Sequence, residues 1–147
     1  MIGRALAGVT AGAVALFAAA GPAAAEEYVR GRSFEHTFRL EDGRQVSCTV
    51  EGASALRRDD GASAFEGTAV TSVLGDDPQC REVILQMQVS YVDRAGIERS
   101  FIVEGFGSPN IQWRDDDVAS GLSVEHGVFF DAPCVQSCSV GFSTSPK

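Results

Sequence analysis

The chain has 147 residues, and its 20 acidic and 12 basic side chains give a formal net charge of −8. This acidic balance disfavours nucleic acid and anionic membrane surfaces as partners, because both repel negative charge. After the N-terminal segment the sequence has no second long apolar stretch and no low-complexity tract, so we expect a single domain over residues 26–147.

The first 25 residues are typical of a secretory signal peptide. Arg4 precedes an apolar run from Ala5 to Ala20, and Gly21-Pro22 then breaks the helix. The alanines at 23–25 offer small side chains to a peptidase, so we predict cleavage after Ala25. The mature chain is expected to be secreted to the extracellular side without membrane insertion. The near absence of lysine indicates a bacterial source.

The first predicted elements are two strands joined by a tight turn. From Ser33 to Leu40 apolar and polar residues alternate, and the same pattern returns from Val46 to Val50. Asp42-Gly43 lies between these runs, and Asp-Gly is a strong hairpin signal. The polar stretch from Glu26 to Arg32 is expected to be a loose entry segment.

A second hairpin is predicted further along the chain. One strand is expected from about Ala64 to Leu74, and the next, from Arg81 to Val92, has the clearest period of two in the sequence. Gly96 suits a turn with positive φ before a strand over 97–106. Later strands are expected near 111–114, 122–130 and 139–143, with a loop after the first of these.

Seven or eight short strands with turn signals between them predict an all-β antiparallel β-sandwich. Its size, four cysteines and single tryptophan resemble exported immunoglobulin-like modules in layout, and that resemblance does not imply a function. The alternation also predicts which side chains form the core: Phe34, Phe38, Val46, Val50, Val83, Leu85, Met87, Val89, Tyr91, Phe101, Val103, Trp113, Val124, Val128 and Phe142.

The four cysteines all follow the predicted signal peptide, and an even number in an exported domain indicates two disulfides. We favour Cys48 with Cys80 and Cys134 with Cys138, because the second pair can close a small loop. A crossed pairing that joins Cys48 to Cys138 is the main alternative. Structural zinc is disfavoured, because the spacing lacks paired CxxC motifs and an oxidising exterior removes the thiolates.

Few residues point to catalysis. The two histidines are His36, expected to be a packed, hydrogen-bonded residue of the core or of a barrel edge, and His126, expected to face solvent away from Val124 and Val128. No GxSxG motif is present, so a hydrolase would depend entirely on tertiary contacts. The sequence therefore predicts a protein that is not an enzyme and has no catalytic residue to name.

An acidic run is the weak candidate for a metal site. Asp115, Asp116 and Asp117 fall in a predicted loop, and clustered hard oxygen ligands suit calcium. The run lacks the alternating acids and distal glutamate of an EF-hand, so a solvated turn is the simpler interpretation. No cofactor is predicted, with calcium as the alternative.

Aromatic residues are the candidates for binding. Trp113 could stack on an envelope glycan, with Asn110 and Gln112 nearby as hydrogen-bond partners, although a lone tryptophan more often packs on the core. Phe129 and Phe130 are consecutive, so on a strand they face opposite sides and one of them is expected to point outward. An outward phenylalanine could anchor a partner protein.

The segment 132–138 is a candidate inhibitory loop, since a local disulfide would stiffen Val135, Gln136 and Ser137. Our leading hypothesis is a secreted, non-enzymatic module that binds an extracellular protein or envelope glycan. The second is a small protease inhibitor that acts through this loop. The third is a calcium-dependent or hydrolytic enzyme.

Overall fold

The computed structural model describes residues 25–146, so the predicted signal peptide lies outside the described residues except for Ala25. The described chain is built from antiparallel strands, which confirms the all-β prediction. A 3₁₀ helix at Pro78–Arg81 connects the third strand to the fourth. The strands are β1 (Glu26–Leu40), β2 (Gln45–Arg58), β3 (Phe65–Leu74), β4 (Val83–Asp93), β5 (Glu98–Phe106), β6 (Asn110–Phe130), β7 (Cys134–Gln136) and β8 (Ser139–Thr144).

These strands form one curled sheet with the shape of a half-barrel. The order across the sheet is β5-β4-β6-β3-β2-β1-β7, and β8 pairs with β6. Strand β6 organises this arrangement, because its first half pairs with β3 and its second half pairs with both β4 and β8. No helix within residues 25–146 is both long and apolar enough to cross a membrane.

Two features of the strands differ from the sequence predictions. The segment Glu26–Arg32 is not loose but pairs with β2 as the first half of β1. The predicted strands at 111–114 and 122–130 are parts of the single strand β6, so the loop expected between them is absent. A continuous strand is possible there because β3 and β4 supply backbone partners for its successive halves.

Both predicted hairpin turns are present. Gly43 has φ 88° and Gly96 has φ 81°, a backbone conformation that side chains with a Cβ rarely adopt. In the second turn the Asp93 carboxylate accepts hydrogen bonds from the backbone N–H groups of Ala95 and Ile97, each 2.9 Å long. The N–H of Ile97 is the main reason that the pKa of Asp93 is lowered, and the Arg99 guanidinium lowers it further.

The core lies along the concave face of the curled sheet, and most of the predicted core residues are buried in it. Phe101 is the exception, since it is 37% exposed on the outermost strand β5. Phe34, Val103 and Trp113 are partly buried and pack against the edge of the core. The predicted core missed Leu56 and Val118, which lie outside the predicted strands, and Leu122, the first residue of the strand predicted over 122–130.

Side chains, not backbone pairing, connect β1 with the second half of β6 and with β8 across the opening of the half-barrel. The Phe34 ring meets the Phe142 ring edge-on at 5.3 Å between centroids, and Phe38 stacks on Phe130 at 4.2 Å. Gly52 allows this close approach, because a Cβ at that position would lie 2.6 Å from the Phe142 ring. The aromatic contacts therefore stabilise the curl of the sheet.

The two disulfides are Cys48–Cys80 and Cys134–Cys138, which is the favoured pairing and not the crossed one. The first is buried and ties β2 to the 3₁₀ helix. The second links the start of β7 to the residue before β8 and is partly exposed. Disulfides of this kind are typical of proteins in an oxidising environment.

Candidate functional site

His126 is a buried residue of the core, so the prediction that it faces solvent is wrong. Residues 124, 126 and 128 are two apart on β6 and therefore share one face, and that face is turned inward. Each imidazole nitrogen lies 2.8 Å from a threonine hydroxyl, Thr71 on one side and Thr144 on the other. Burial lowers the pKa of His126 to about 4, so the ring is neutral at pH 7.

His36 packs at the rim of the core, close to what its position on β1 predicted. Its ring stacks on Phe130 with centroids 5.4 Å apart, and its Nε2 donates a hydrogen bond to the backbone oxygen of Ser137 at 2.8 Å. His36 thereby holds the 134–138 loop against β1. Each of the two histidine rings is occupied by structural contacts: His36 with the Phe130 ring and the backbone oxygen of Ser137, and His126 with two threonine hydroxyls.

Trp113 packs in an aromatic cluster on the concave side of β6. Its ring centroid lies 5.6 Å from Tyr91 and 6.3 Å from Phe101, and its far edge would contact a Cβ placed on Gly67. The Tyr91 hydroxyl donates a 2.5 Å hydrogen bond to Asp115. Burial, aided by that carboxylate, raises the pKa of Tyr91, so the hydroxyl stays protonated and the bond persists.

Asn110 and Gln112 do not lie beside the Trp113 ring. They occupy even-numbered positions of β6, on the opposite face of the sheet, where Asn110 donates to the Ser72 hydroxyl at 2.6 Å. The suggested group of one tryptophan and two amides is therefore not brought together. Since neighbouring rings cover much of Trp113, its half-buried ring does not form a flat exposed platform.

The three aspartates at 115–117 lie in strand β6 and not in a loop, so their carboxylates alternate between faces. Asp115 accepts from Tyr91, whereas Asp117 accepts from the Arg94 guanidinium at 2.5 Å. Asp116 lies near Arg57 and Arg114 on the other face. Within residues 25–146 no three His, Cys, Asp or Glu side chains are grouped to hold a metal ion. Calcium binding stays a prediction.

Phe129 points outward and Phe130 points inward, as their consecutive positions predicted: they are 44% and 4% exposed. Phe129 is not alone on the outer surface. Ile84 of β4 lies directly opposite Phe129 and also directly opposite Phe106 of β5, which is 71% exposed. Directly opposite residues on neighbouring strands share a face of the sheet. We call Phe106, Ile84 and Phe129 the outer row.

The outer row lies between polar and acidic positions. On one side of the row, Gln86 lies two residues after Ile84 on β4, and Glu104 lies two residues before Phe106 on β5. The Gln86 amide donates a 3.0 Å hydrogen bond to the Glu104 carboxylate. Gly127 lies beside them, and a Cβ there would come within 3.5 Å of the Phe129 ring, so this ring leans over the glycine. Exposed Glu82 and Asp131 lie beyond the other side of the row. The row is therefore an apolar strip with acidic borders.

The loop at 132–138 is held at several points. The N–H of Glu41 donates to the oxygen of Pro133 at 2.8 Å, and the N–H of Phe130 donates to the oxygen of Cys138 at 2.9 Å. Residues Cys134–Gln136 form β7, which pairs with the end of β1. Val135 is 58% exposed, and Ser137 has φ 60°. The structure thus presents Val135 on a rigid loop.

Sequence reasoning did not place the exposed Phe106 and the half-buried Ile84 on the outer face of the sheet. For Ile84 the available signal was the run Val83-Ile84-Leu85, because consecutive strand residues cannot all face inward; Phe106 follows Gly105 and had no such signal. Their alignment with Phe129 could not be read from the sequence, because it depends on the register between three strands. The chain matches no protein-family model, no curated protein and no solved structure, so the geometry alone supports any functional proposal.

Proposed function

We propose that this protein is a secreted, non-enzymatic binding module that recognises an extracellular protein through the outer row. The observation that carries the proposal is the contiguity of Phe106, Ile84 and Phe129 across three strands on an exposed face. Exposed apolar residues are ordinary when scattered, whereas a contiguous strip with a polar rim is typical of an interaction site. Large aromatic side chains at such a site are the usual anchors of binding energy.

The chemistry of the partner follows from the borders of the strip. Glu82, Glu104 and Asp131 surround the apolar side chains with negative charge. A complementary surface presents apolar side chains to the row and lysine or arginine to these carboxylates. A protein partner is favoured over a glycan, because the Trp113 indole is half-buried. The exposed rings of the row are phenylalanines, and the residue directly between them is Ile84, which cannot hydrogen-bond to a sugar hydroxyl.

The test uses a displayed random-peptide library selected on the oxidised protein, expressed from the full 147-residue sequence. Peptides that combine apolar with basic residues should be enriched, and the double variant Phe106→Ser/Phe129→Ser should weaken their binding at least tenfold. Both side chains are exposed, so the fold should be retained. Leu74→Ser is the matched control, because Leu74 is 42% exposed outside the row.

Two results would contradict this proposal. The first is a selection without apolar-basic enrichment, and the second is enriched peptides that bind the double variant as tightly as the original protein. Binding to a glycan array that is lost in the double variant would instead identify a carbohydrate partner. Peptide binding should also weaken with added salt, because the acidic border contributes through exposed charges.

Protease inhibition is the second candidate, favoured by the exposed Val135 on its disulfide-closed loop. A small aliphatic side chain on a rigid extended segment suits an elastase-like specificity pocket, and rigidity lowers the entropy cost of binding. A panel of serine proteases tests this candidate. Inhibition should be lost in Val135→Asp and kept in Phe129→Ser. A calcium-dependent or hydrolytic enzyme remains the third proposal.

The immunoglobulin-like sandwich layout also remains a proposal. Strand β6 supports it, because its two halves pair with different strands. The register of the pair formed by β4 and β6 also shifts between Ser90 and Asp93 of β4. Strands that change sheets through such irregularities form the corners of packed sandwiches. An experimental structure that resolves two facing sheets would support this layout.

A further inference from the structure

Strand β5 is a regular strand at one end of the sheet. All 9 of its residues pair with β4 without a register shift, and in the described part of the chain no other strand pairs with its outer edge. Natural proteins usually protect such edges with lysine, proline, bulges or a covering segment. β5 contains no lysine or proline, and Ile102 at its centre is 60% exposed.

The one basic side chain of β5 is already engaged within its own subunit. Arg99 Nε donates a 2.8 Å hydrogen bond to Asp93, in the turn that precedes β5. The guanidinium is therefore directed toward its own turn and does not protect the edge. Phe101 and Ile102 are consecutive, so the edge presents an exposed apolar side chain on each face of the sheet.

We propose that two copies of this chain associate through antiparallel pairing of their β5 edges, with Ile102 opposite the same residue of the second copy. A two-fold axis perpendicular to the sheet generates this arrangement, and the sheet continues from one copy into the other. The edge backbone groups of each copy then find hydrogen-bond partners in the other. This proposal does not rest on the proposed function: the two share only Phe106, the last residue of β5, whereas Ile84 and Phe129 lie on other strands.

The sequence of β5 is self-complementary in this register. Pairing centred on Ile102 uses the whole strand and places Phe101 opposite Val103 in both halves, so the central positions are apolar on both faces. Arg99 falls opposite Gly105, so its guanidinium, which is paired with Asp93 of its own turn, meets no charged residue of the second copy. Ser100 falls opposite Glu104, so no two like charges oppose each other.

The neighbouring registers that preserve the faces are less favourable. Centring on Phe101 places Glu98 directly opposite Glu104, and like charges opposite each other destabilise a pair. Centring on Val103 places Ile102 opposite Glu104 and loses the apolar centre on that face. A shift by a single residue would exchange the two faces of the sheet. The Ile102-centred pairing is therefore the best-matched two-fold arrangement.

Sedimentation measurements over a range of concentrations test the proposal on the oxidised protein, expressed from the full 147-residue sequence. We expect the mass to rise from one copy to two as the concentration increases. Ile102→Lys should raise the dissociation constant more than tenfold, because two ammonium groups would meet at the axis. Leu74→Lys is the control, because Leu74 is an exposed apolar residue on β3, away from the β5 edge. This variant and Phe129→Ser should each leave the dissociation constant unchanged within twofold.

A pair of variants at one position tests the register. Ser100→Arg would face Glu104 of the second copy and should tighten the dimer several-fold, whereas Ser100→Glu should weaken it. Ile102→Cys should form an intermolecular disulfide spontaneously. Added salt should strengthen the dimer, since each copy has a formal net charge of −8 and salt screens their repulsion.

The proposal is overturned by a protein that stays monomeric up to about millimolar concentration, the weak end of specific association. It is also overturned by a dimer that Ile102→Lys leaves intact, or by Ser100→Arg and Ser100→Glu shifting the equilibrium in the same direction. A monomer whose β5 binds peptides, with binding lost in Ile102→Lys, would show strand addition by a different protein and equally reject self-association.

Discussion

The imidazole of His126 is a polar group that the core satisfies completely. Thr71 and Thr144 provide one hydrogen-bond partner for each nitrogen, and the Phe142 ring stacks on it with centroids 4.7 Å apart. A neutral imidazole donates through one nitrogen and accepts through the other, and a hydroxyl can fill either role. Protonation would place a charge among groups that carry none, which is why the ring resists it.

The first prediction concerns stability at acidic pH. The pKa of His126 is about 4 in the folded protein and about 6.5 when exposed, so between these values the unfolded chain binds the extra proton. The neutral His126 therefore contributes fully to the free energy of unfolding above pH 6.5. As the pH falls from 6.5 toward 4, the free energy of unfolding decreases by about 3 kcal/mol on account of this residue. Urea unfolding of the protein at pH 7.5, 5.5 and 4.5 measures this.

The matched variant is His126→Gln, which can hydrogen-bond to both threonines but does not titrate. Its free energy of unfolding should fall less steeply between pH 6.5 and 4.5 than that of the original protein. Parallel profiles would show that the acid sensitivity comes from other groups.

The orientation of His126 could have been predicted from the sequence, because positions 124, 126 and 128 necessarily share a face of a strand. Its threonine partners, from β3 and β8, were not.

At the level of elements, the two disulfides differ in loop length and in burial. Cys48–Cys80 has a sequence separation of 32 and lies in the core, whereas Cys134–Cys138 has a separation of 4 at the surface. Gly75 approaches the buried bridge closely, since a Cβ on it would lie 2.5 Å from Cys80 Sγ. A longer closed loop restricts the unfolded chain more strongly.

The second prediction follows from this difference. Replacing Cys48 and Cys80 by alanine should lower the free energy of unfolding by about 4 kcal/mol, and replacing Cys134 and Cys138 by serine should lower it by about 2 kcal/mol. Urea unfolding of the two double variants provides the comparison. A mild reductant should open the exposed bridge first, which mass spectrometry after thiol alkylation can follow. A larger loss of stability from removing Cys134–Cys138, or earlier reduction of Cys48–Cys80, would contradict the conclusion that the buried bridge stabilises the fold more strongly.

The elements themselves were predictable where they form hairpins. The Asp-Gly turn and Gly96 identified both hairpins, because their backbone geometry is local. The extent of β1 and β6 was not predictable in the same way. Glu26–Arg32 is polar, and 115–121 contains three aspartates, yet both segments are strands because β2, β3 and β4 offer them continuous backbone partners.

For the whole molecule, the strands differ in how deeply they are buried. The centres of β2 and β3 are buried on both faces, over residues 50–56 and 69–73, whereas β5 is exposed or partly exposed at every position. Opening the centre of the sheet requires the loss of core packing, while the edge can fray locally. The stability of the backbone should therefore decrease from the middle of the sheet toward β5.

The third prediction is a gradient of amide hydrogen exchange. Amides in the centres of β2 and β3 should exchange the most slowly, and those of β5 should exchange at least a hundredfold faster in dilute solution. Hydrogen-exchange mass spectrometry with peptide-level resolution measures the gradient. Equal protection of β5 and β3 in a monomeric sample would contradict it. Protection of β5 that increases with protein concentration would match the proposed dimer.

The sequence by itself determined the strand-rich fold, the two hairpins and the opposite orientation of Phe129 and Phe130, since each depends on local geometry. It favoured the observed cysteine pairing but left the crossed pairing open, because Cys48 and Cys80 are 32 residues apart in the chain. Only the tertiary structure decided that Trp113 is covered by Tyr91, that the aspartates of β6 diverge, and that Phe106 and Phe129 flank Ile84. These features depend on register and curvature, which arise from pairing between strands far apart in the sequence.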